Sequence, residues 1–266
     1  MSIVPPYVLD ALERHPSDRV RRAARSTRST VLQRPDRAPS SAARAAQGRR
    51  PRQRLVYDGR CGKSLPGKLV RLEGQPKSND LDVNRAYDMA GRTLEFYADV
   101  LGRDSIDDCG MAISSTVHFG ERYQNAFWNG AQMVYGDGDG EAFESFTTCL
   151  EITAHELAHG VTHFSADAIR SHPICVTMWR MRPRRRSCTS NSGIPNHAFY
   201  LFAKALGGYA WEIGGRVWYD ALRSGLDRRC GFRSFAGATA EAARARGVRV
   251  VDAVRQAWTD VGIIAL

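Results

Sequence analysis

Leu150-Glu151-Ile152-Thr153-Ala154-His155-Glu156-Leu157-Ala158-His159-Gly160-Val161-Thr162-His163 decides the reading of this 266-residue chain. Leu150, Ala154, Leu157 and Val161 recur at helical spacing, which predicts a helix with one apolar face within Thr147–His163. His155 and His159 are four residues apart, so both imidazoles leave one side of that helix about a turn apart. Two ring nitrogens so placed can hold one zinc ion, and Glu156 then stands beside water that the metal activates. Zinc lowers the pKa of that water toward ~7, a carboxylate takes the proton, and the resulting hydroxide attacks an amide carbonyl. For these five residues read alone, the plain alternative is a surface helix that happens to carry two histidines.

The flanking blocks decide between the two. Upstream stand Ser105-Ile106-Asp107-Asp108, Ser114-Ser115-Thr116-Val117-His118, Asn125-Ala126-Phe127-Trp128-Asn129-Gly130 and Gln132-Met133-Val134-Tyr135-Gly136-Asp137-Gly138-Asp139-Gly140. Downstream stand Asn191-Ser192-Gly193-Ile194-Pro195-Asn196-His197-Ala198-Phe199-Tyr200 and Trp218-Tyr219-Asp220-Ala221-Leu222. With His155–Thr162 between them, these blocks resemble the thermolysin family of zinc endopeptidases, in the family's order, from about Leu55 to the C-terminus with one segment excepted. The resemblance implies an α+β, two-lobed peptidase: a β-rich N-terminal lobe, a helical C-terminal lobe and an active cleft between them. It implies zinc as cofactor, His155 and His159 as metal ligands and Glu156 as general base. Asn125 and Ala126 are implied to hold substrate backbone by strand addition at a sheet edge. The expected substrates are proteins or peptides, cut before bulky apolar residues. Glu151 stands where the family places an acidic calcium ligand. The family's other calcium carboxylates have no counterpart here, so calcium is the weaker cofactor expectation.

Composition bounds the alternatives. The net charge is +10, with arginines crowded in 14–54 and 180–186. They are not interleaved with aromatics and belong to no nucleic-acid module, so no nucleic-acid partner is expected. No apolar run approaches the ~20 residues of a membrane helix, and no membrane association is expected. The N-terminus shows no apolar signal-peptide core. Secretion, implied by the family, would use another route, with a cytoplasmic location as the alternative. A monomer is expected. The six cysteines form no CxxC pair, and free thiols are the default.

Ser2-Ile3-Val4-Pro5-Pro6-Tyr7-Val8-Leu9 opens the chain with a stiff Pro-Pro pair and predicts a short helix through Leu12. It is similar to the start of the short propeptide of protealysin-like members of the family. A second helix is expected over Arg19–Leu32, and the Pro-, Ser- and Arg-rich stretch 33–53 reads as a cleavable linker. The expected division is a removable prosegment with linker over 1–53, ending near Arg54, a β-rich lobe over 54–146 and a helical lobe over 147–266. A helix is predicted over Leu81–Leu101, strands over Ile113–Phe119 and Gln132–Tyr135, and a turn at Gly136–Gly140. Asp137 and Asp139 in that turn suggest a hard cation, although the spacing of a full calcium loop is missing. Helices follow over Ala198–Leu206, Trp211–Arg223, Ser234–Ala245 and Val250–Val261, with Gly207-Gly208 and Gly247 as stops.

One segment departs from the family. Members carry a third zinc ligand, a glutamate in a Gly-Ala-Leu-Asn-Glu-like block; the usual offset falls here on Trp179, which cannot ligate zinc. No Asn-Glu pair occurs between His159 and Asn191, and Thr189 occupies the place of the histidine that stabilises the oxyanion. The segment after the zinc helix is therefore truncated, and residues 165–190 are aberrant. Reverse translation of Pro173–Trp179 in a neighbouring frame yields Asp-Met-Arg-Asp-Tyr-Val, which resembles a family stretch. In that same frame Cys188-Thr189-Ser190 yields His-Ile. The hypothesis is that Ile174–Ser190 is translated out of frame after a deletion that removed the glutamate block. A gene with one uninterrupted frame, and neither insertion nor deletion relative to its relatives, would sink it. Two rival readings stand beside the enzyme: an inactive remnant of such a peptidase, and a basic surface-binding protein. His163, Asp167, His172 and Cys175 are chemically able ligands that no spacing rule favours.

Overall fold

Short runs rich in β-branched and aromatic residues become five strands: β1 (Arg54–Asp58), β2 (Lys68–Arg71), β3 (Ile113–Val117), β4 (Ala126–Trp128) and β5 (Met133–Tyr135). They form one sheet in the order β2-β1-β3-β5-β4. The inner pairs β1–β3 and β3–β5 are parallel, and the rim pairs β1–β2 and β4–β5 are antiparallel. The structure is a computed structural model and describes residues 4, 6–32, 53–167, 188–226 and 230–263. The described helices are α1 (Pro6–Leu12), α2 (Asp18–Leu32), α3 (Leu81–Leu101), α4 (Leu150–Asp167), α5 (Cys188–Leu206), α6 (Gly214–Arg223), α7 (Phe232–Arg244) and α8 (Val248–Asp260). The chain divides into two compact units, Met1–Val161 and Thr162–Leu266, and α4 runs across that boundary.

In the first unit α3 lies against β1 and β3. Asp80 caps its first turn by accepting from the Asp82 and Val83 amides, and Gly102 ends it at a left-handed φ of 62°. Phe119, Tyr123, Phe127 and Val134 form a buried cluster whose rings meet edge to face at centroid distances of 5.1–6.0 Å. Leu9 of α1 and Val20, Ala23, Ala24 and Thr27 of α2 are buried too. The Arg28 side chain ties α2 to Asp10 of α1 and to Glu13 just after it. The small buried face of α2 belongs to the first unit, where Thr27 Oγ1 accepts the Gln124 N–H at 2.9 Å and Ser17 Oγ donates to Glu141 at 2.7 Å.

The second unit is built on α5–α8 around Phe202, Val217, Ala221, Phe235, Ala236, Val254 and Trp258. Trp218 and Trp258 stack with planes 2° apart, and the Trp258 indole N–H donates to Thr239 at 2.8 Å. The α+β class, with a β-rich N-terminal part and a helical C-terminal part, is as expected. The principal difference in extent is α5, which begins at Cys188 and carries Pro195 inside it, ten residues before the Ala198 start that was expected. Proline removes a single intrahelical donor, and the downstream face, with Ala198 and Phe202 fully buried, holds the helix together across that gap. Residues 168–187, which contain Trp179 and most of the out-of-frame segment, lie outside the described residues.

Asp137 is engaged by a histidine. Its carboxylate sits 2.9 Å from His118 Nδ1, while Asp80 sits 2.8 Å from His118 Nε2, which joins the glycine turn to the cap of α3. Hydrogen bonding to Asp137 first, then to Asp80, raises the His118 pKa to about 9, against the desolvation that opposes it. A raised pKa means that the stabilisation is complete below the ordinary histidine value of 6.5 and disappears as pH climbs through 9. We expect His118→Gln to cost about 1–2 kcal/mol at pH 6, after allowance for the partial exposure of both carboxylates. In urea denaturation the gap between wild type and variant should close by pH 10; a pH-independent gap would contradict the charged sandwich.

Candidate metal centre

Helix α4 turns its histidines as the spacing requires. His155 Nε2 and His159 Nε2 are 3.2 Å apart, with ring planes at 89° and centroids 4.8 Å apart. A tetrahedral zinc with Zn–N bonds of ~2.0–2.1 Å sets two ligand nitrogens about 3.3 Å apart, so this pair matches one edge of such a tetrahedron. The donor atoms of His155, Glu156 and His159 lie within 4.8 Å of one another. His155 is exposed by area, yet its Nε2 edge is turned to His159, and desolvation lowers its pKa. That favours the neutral imidazole, the form that ligates metal.

Glu156 is fully buried, with a carboxylate oxygen within 4.8 Å of the histidine donor atoms. Its Oε2 accepts the Trp128 backbone N–H at 3.0 Å, which ties α4 to the end of β4. A second tie, Tyr135 OH to Thr153 Oγ1 at 3.0 Å, joins α4 to β5, and burial pushes the phenol pKa up. Close approach depends on Gly160: a Cβ there would stand 2.9 Å from Ile106 Cδ1 and 3.3 Å from the Trp128 indole. Neither Trp128 nor Gly160 is foreseeable as a site residue, because one acts through a backbone amide and the other through a missing side chain.

Asn125 and Ala126 sit where β4 begins, at the rim of the sheet. Ala126 pairs with Tyr135, and Asn125 holds the turn by accepting the Gly136 N–H at its carbonyl. The Asn125 side chain is fully buried and clamps the backbone of Val4: Oδ1 accepts the Val4 N–H at 2.9 Å and Nδ2 donates to the Val4 carbonyl at 3.3 Å. One residue earlier, the Gln124 N–H goes to Thr27 of α2. The rim expected to receive a peptide is thus covered by the chain's own N-terminal segment. The one clue to this in the sequence is Val4 standing before Pro5-Pro6.

The remaining candidates scatter. Glu151 is exposed on the first turn of α4, its carboxylate held by its own backbone amide and the Cys149 thiol. Among the described residues it joins neither potential metal-binding group; the second such group is Asp80, Asp82 and His118. Asp139 is buried and turned inward. One oxygen accepts the Glu141, Ala142 and Phe143 amides at 2.9–3.1 Å and the other takes the Gln124 side-chain amide. Burial works to raise its pKa, and those donors outweigh it. The glycine turn is therefore an internal carboxylate cage rather than a cation loop. His163 stays on α4, while His172 and Cys175 lie outside the described residues. Cys61, Cys109 and Cys149 are free thiols.

Comparisons with known proteins bear on this geometry. A model of the thermolysin metallopeptidase catalytic domain matches residues 73–163, and one of the α-helical domain of the same peptidases matches residues 179–263. An extracellular metalloprotease of Pectobacterium carotovorum subsp. carotovorum is 33% identical over 337 aligned positions, covering 98% of this chain and 96% of that protein. Those 337 positions exceed the 266 residues of the chain, so that relative carries segments with no counterpart here. A protease PrtS of Photorhabdus is 34% identical over 282 positions, covering 79% of this chain and 76% of its own length. The precursor of protealysin, a metalloproteinase from Serratia proteamaculans, has a structure similar to this one at a TM-score of 0.81 and 32% identity, covering 99% of both chains.

The closeness of β4 to α4 is open to a direct check. Gly160→Val should displace Ile106 and Trp128 and cost about 1–3 kcal/mol by overpacking. Urea denaturation reads this, and an unchanged midpoint would show that the gap at Gly160 is not needed.

Proposed function

The chain belongs to the thermolysin metallopeptidase family, and we propose that it is a zinc-dependent metalloendopeptidase held back in two ways: by its own N-terminal segment and by an incomplete metal site. The observation that carries the chemistry is the 3.2 Å separation of the His155 and His159 Nε2 atoms beside the Glu156 carboxylate. His155 and His159 would hold the zinc. When bound, zinc supplies a Lewis acid that polarises a carbonyl and brings water within reach of deprotonation near neutral pH. Glu156 takes the proton at its carboxylate, oriented by the Trp128 amide on Oε2. Asn125 holds a peptide by its backbone, and Ala126 at the head of β4 offers the strand edge beside it. No carboxylate stands at the family's third ligand position, where Trp179 occurs, and Thr189 replaces the oxyanion histidine. Catalytic zinc sites use three protein ligands, and even an outer-shell loss costs ~10–100-fold. Loss of an oxyanion donor takes another ~10²–10³ in rate. Turnover is accordingly weak, and the second reading, an inactive remnant, rests on the same two positions.

Residues 1–53 would form a removable prosegment with its linker, followed by lobes at 54–146 and 147–266. Three contacts support inhibition by the prosegment: Val4 on Asn125, Thr27 on Gln124 and Ser17 on Glu141. The chain would act as a monomer on proteins or peptides outside the cell, in line with the extracellular relative. Calcium at Glu151 is the weaker cofactor assignment.

After dialysis we expect zinc well below one equivalent, and His159→Ala should abolish it. One full equivalent in metal analysis would mean that another residue completes the site. Casein hydrolysis should be feeble and lost on chelation. A synthetic peptide of residues 2–12 should bind the chain once its N-terminal segment has been removed by trypsin, and Asn125→Ala should abolish that binding. Equal binding to the uncut chain would contradict inhibition by Val4.

A further inference from the structure

Arg54–Leu55 lies beside the expected end of the N-terminal segment and has the chemistry of a trypsin site. It joins an arginine to a bulky apolar residue at the end of an arginine-rich linker. The structure makes that bond a poor substrate. β1 has partners on both sides, β3 along Arg54–Asp58 and β2 from Val56 onward, and the Gln53 carbonyl already accepts the Ile113 N–H at 2.8 Å. Where β2 ends, the Glu73 carboxylate takes over, accepting the Arg54 backbone N–H at 3.0 Å and its Nε at 2.7 Å, with Nη2 on the other oxygen. The Tyr87 hydroxyl donates to Glu73 at 2.7 Å and accepts from Arg54 Nη2 at 3.0 Å. The Arg54 and Arg71 guanidinium groups both stack on the Tyr87 ring, 3.8 and 3.7 Å from its centroid. Gly91 of α3 leaves the space: a Cβ there would meet Arg54 Nη1 at 2.2 Å. Bonding to Arg54, first of all, holds the Glu73 pKa near 2, so the clamp stays charged at any pH where trypsin works.

Proteases bind their substrates as extended, unpaired strands, and a backbone hydrogen-bonded on both edges must first open. We propose that Arg54 is a fixed anchor of the first unit, closed to processing at both of its peptide bonds, so that any removable segment ends no later than Arg52. This rests on the prosegment reading above, and it concerns a bond that the reading leaves unassigned.

The test is limited trypsin digestion of the full chain at pH 8, followed by intact mass and N-terminal sequencing over time. Arg37, Arg44, Arg49 and Arg52 in the linker are not followed by proline and serve as internal references. Wild type should yield new N-termini only up to Gln53, with Arg54–Leu55 cut at least about tenfold more slowly than the fastest linker bond. Glu73→Gln removes the charged clamp, and Gly91→Ala pushes Arg54 out while favouring its helix. Each should speed cleavage at Leu55 about tenfold, the scale of a lost charge-assisted hydrogen bond. The Gly91→Ala result covers the case in which Glu73→Gln unfolds. Leu55 appearing in wild type as early as the linker termini would overturn the anchor, as would no acceleration in Gly91→Ala. If wild type is cut at neither place but the variants are cut at Leu55, the anchor stands and only the removable prosegment falls.

Discussion

A carboxylate that is wholly buried needs donors, and the site of this protein follows from how Glu156 finds one. Its Oε2 accepts from the Trp128 amide at the end of β4, so the zinc-type helix and the rim strand are held at hydrogen-bond distance. The carboxylate stays within 4.8 Å of the two imidazole donor atoms, and Asn125 and Ala126, where β4 begins, belong to the same unit. Gly160 makes the approach sterically possible, and the Tyr135–Thr153 pair repeats the tie two strands' width of sequence away. The candidate metal-binding face, the proposed base and the proposed peptide-binding rim are therefore linked through one helix–strand contact.

That rim brings its own liability. An edge strand offers unpaired backbone groups, and natural proteins cover such edges with other parts of the chain. Here α2 and Val4 do the covering, with the Gln124 amide given to Thr27 and the Asn125 side chain given to Val4. The Asn125 amide addresses a backbone N–H and a backbone C=O, groups that any peptide presents. On the proposed function, the N-terminal segment and a substrate would compete for it. Pro5 and Pro6 follow Val4 directly, and a proline offers no N–H to extend strand pairing past that point.

Elsewhere in the first unit, acidic groups that look like cation ligands are spoken for by protein donors. Asp137 is taken by His118, Asp139 by three loop amides and Gln124, and Glu73 by Arg54 and Tyr87. Four donors meet each of Asp139 and Glu73, and one oxygen of Asp137 is on His118. The contrast with His155 and His159, which face each other across a gap of the right width, is what separates the candidate metal centre from its surroundings.

Periodicity and local chemistry, which act over a few residues, were legible in the chain itself. The helix that carries His155, Glu156 and His159 is apparent from its apolar spacing, α3 from its cap and stripe, the helical C-terminal part from repeated three-to-four patterns, and the family from its ordered blocks. What needed the folded chain was every partner chosen across distance: Trp128 for Glu156 at 28 residues, Val4 for Asn125 at 121, Thr27 for Gln124 at 97. Backbone amides look alike in every sequence, and which one meets a buried acceptor depends on how strands and helices come together. The partners of the carboxylates in the glycine turn and of Arg54 were hidden for the same reason. Their chemistry is set by donors that the sequence keeps far away and the fold brings close.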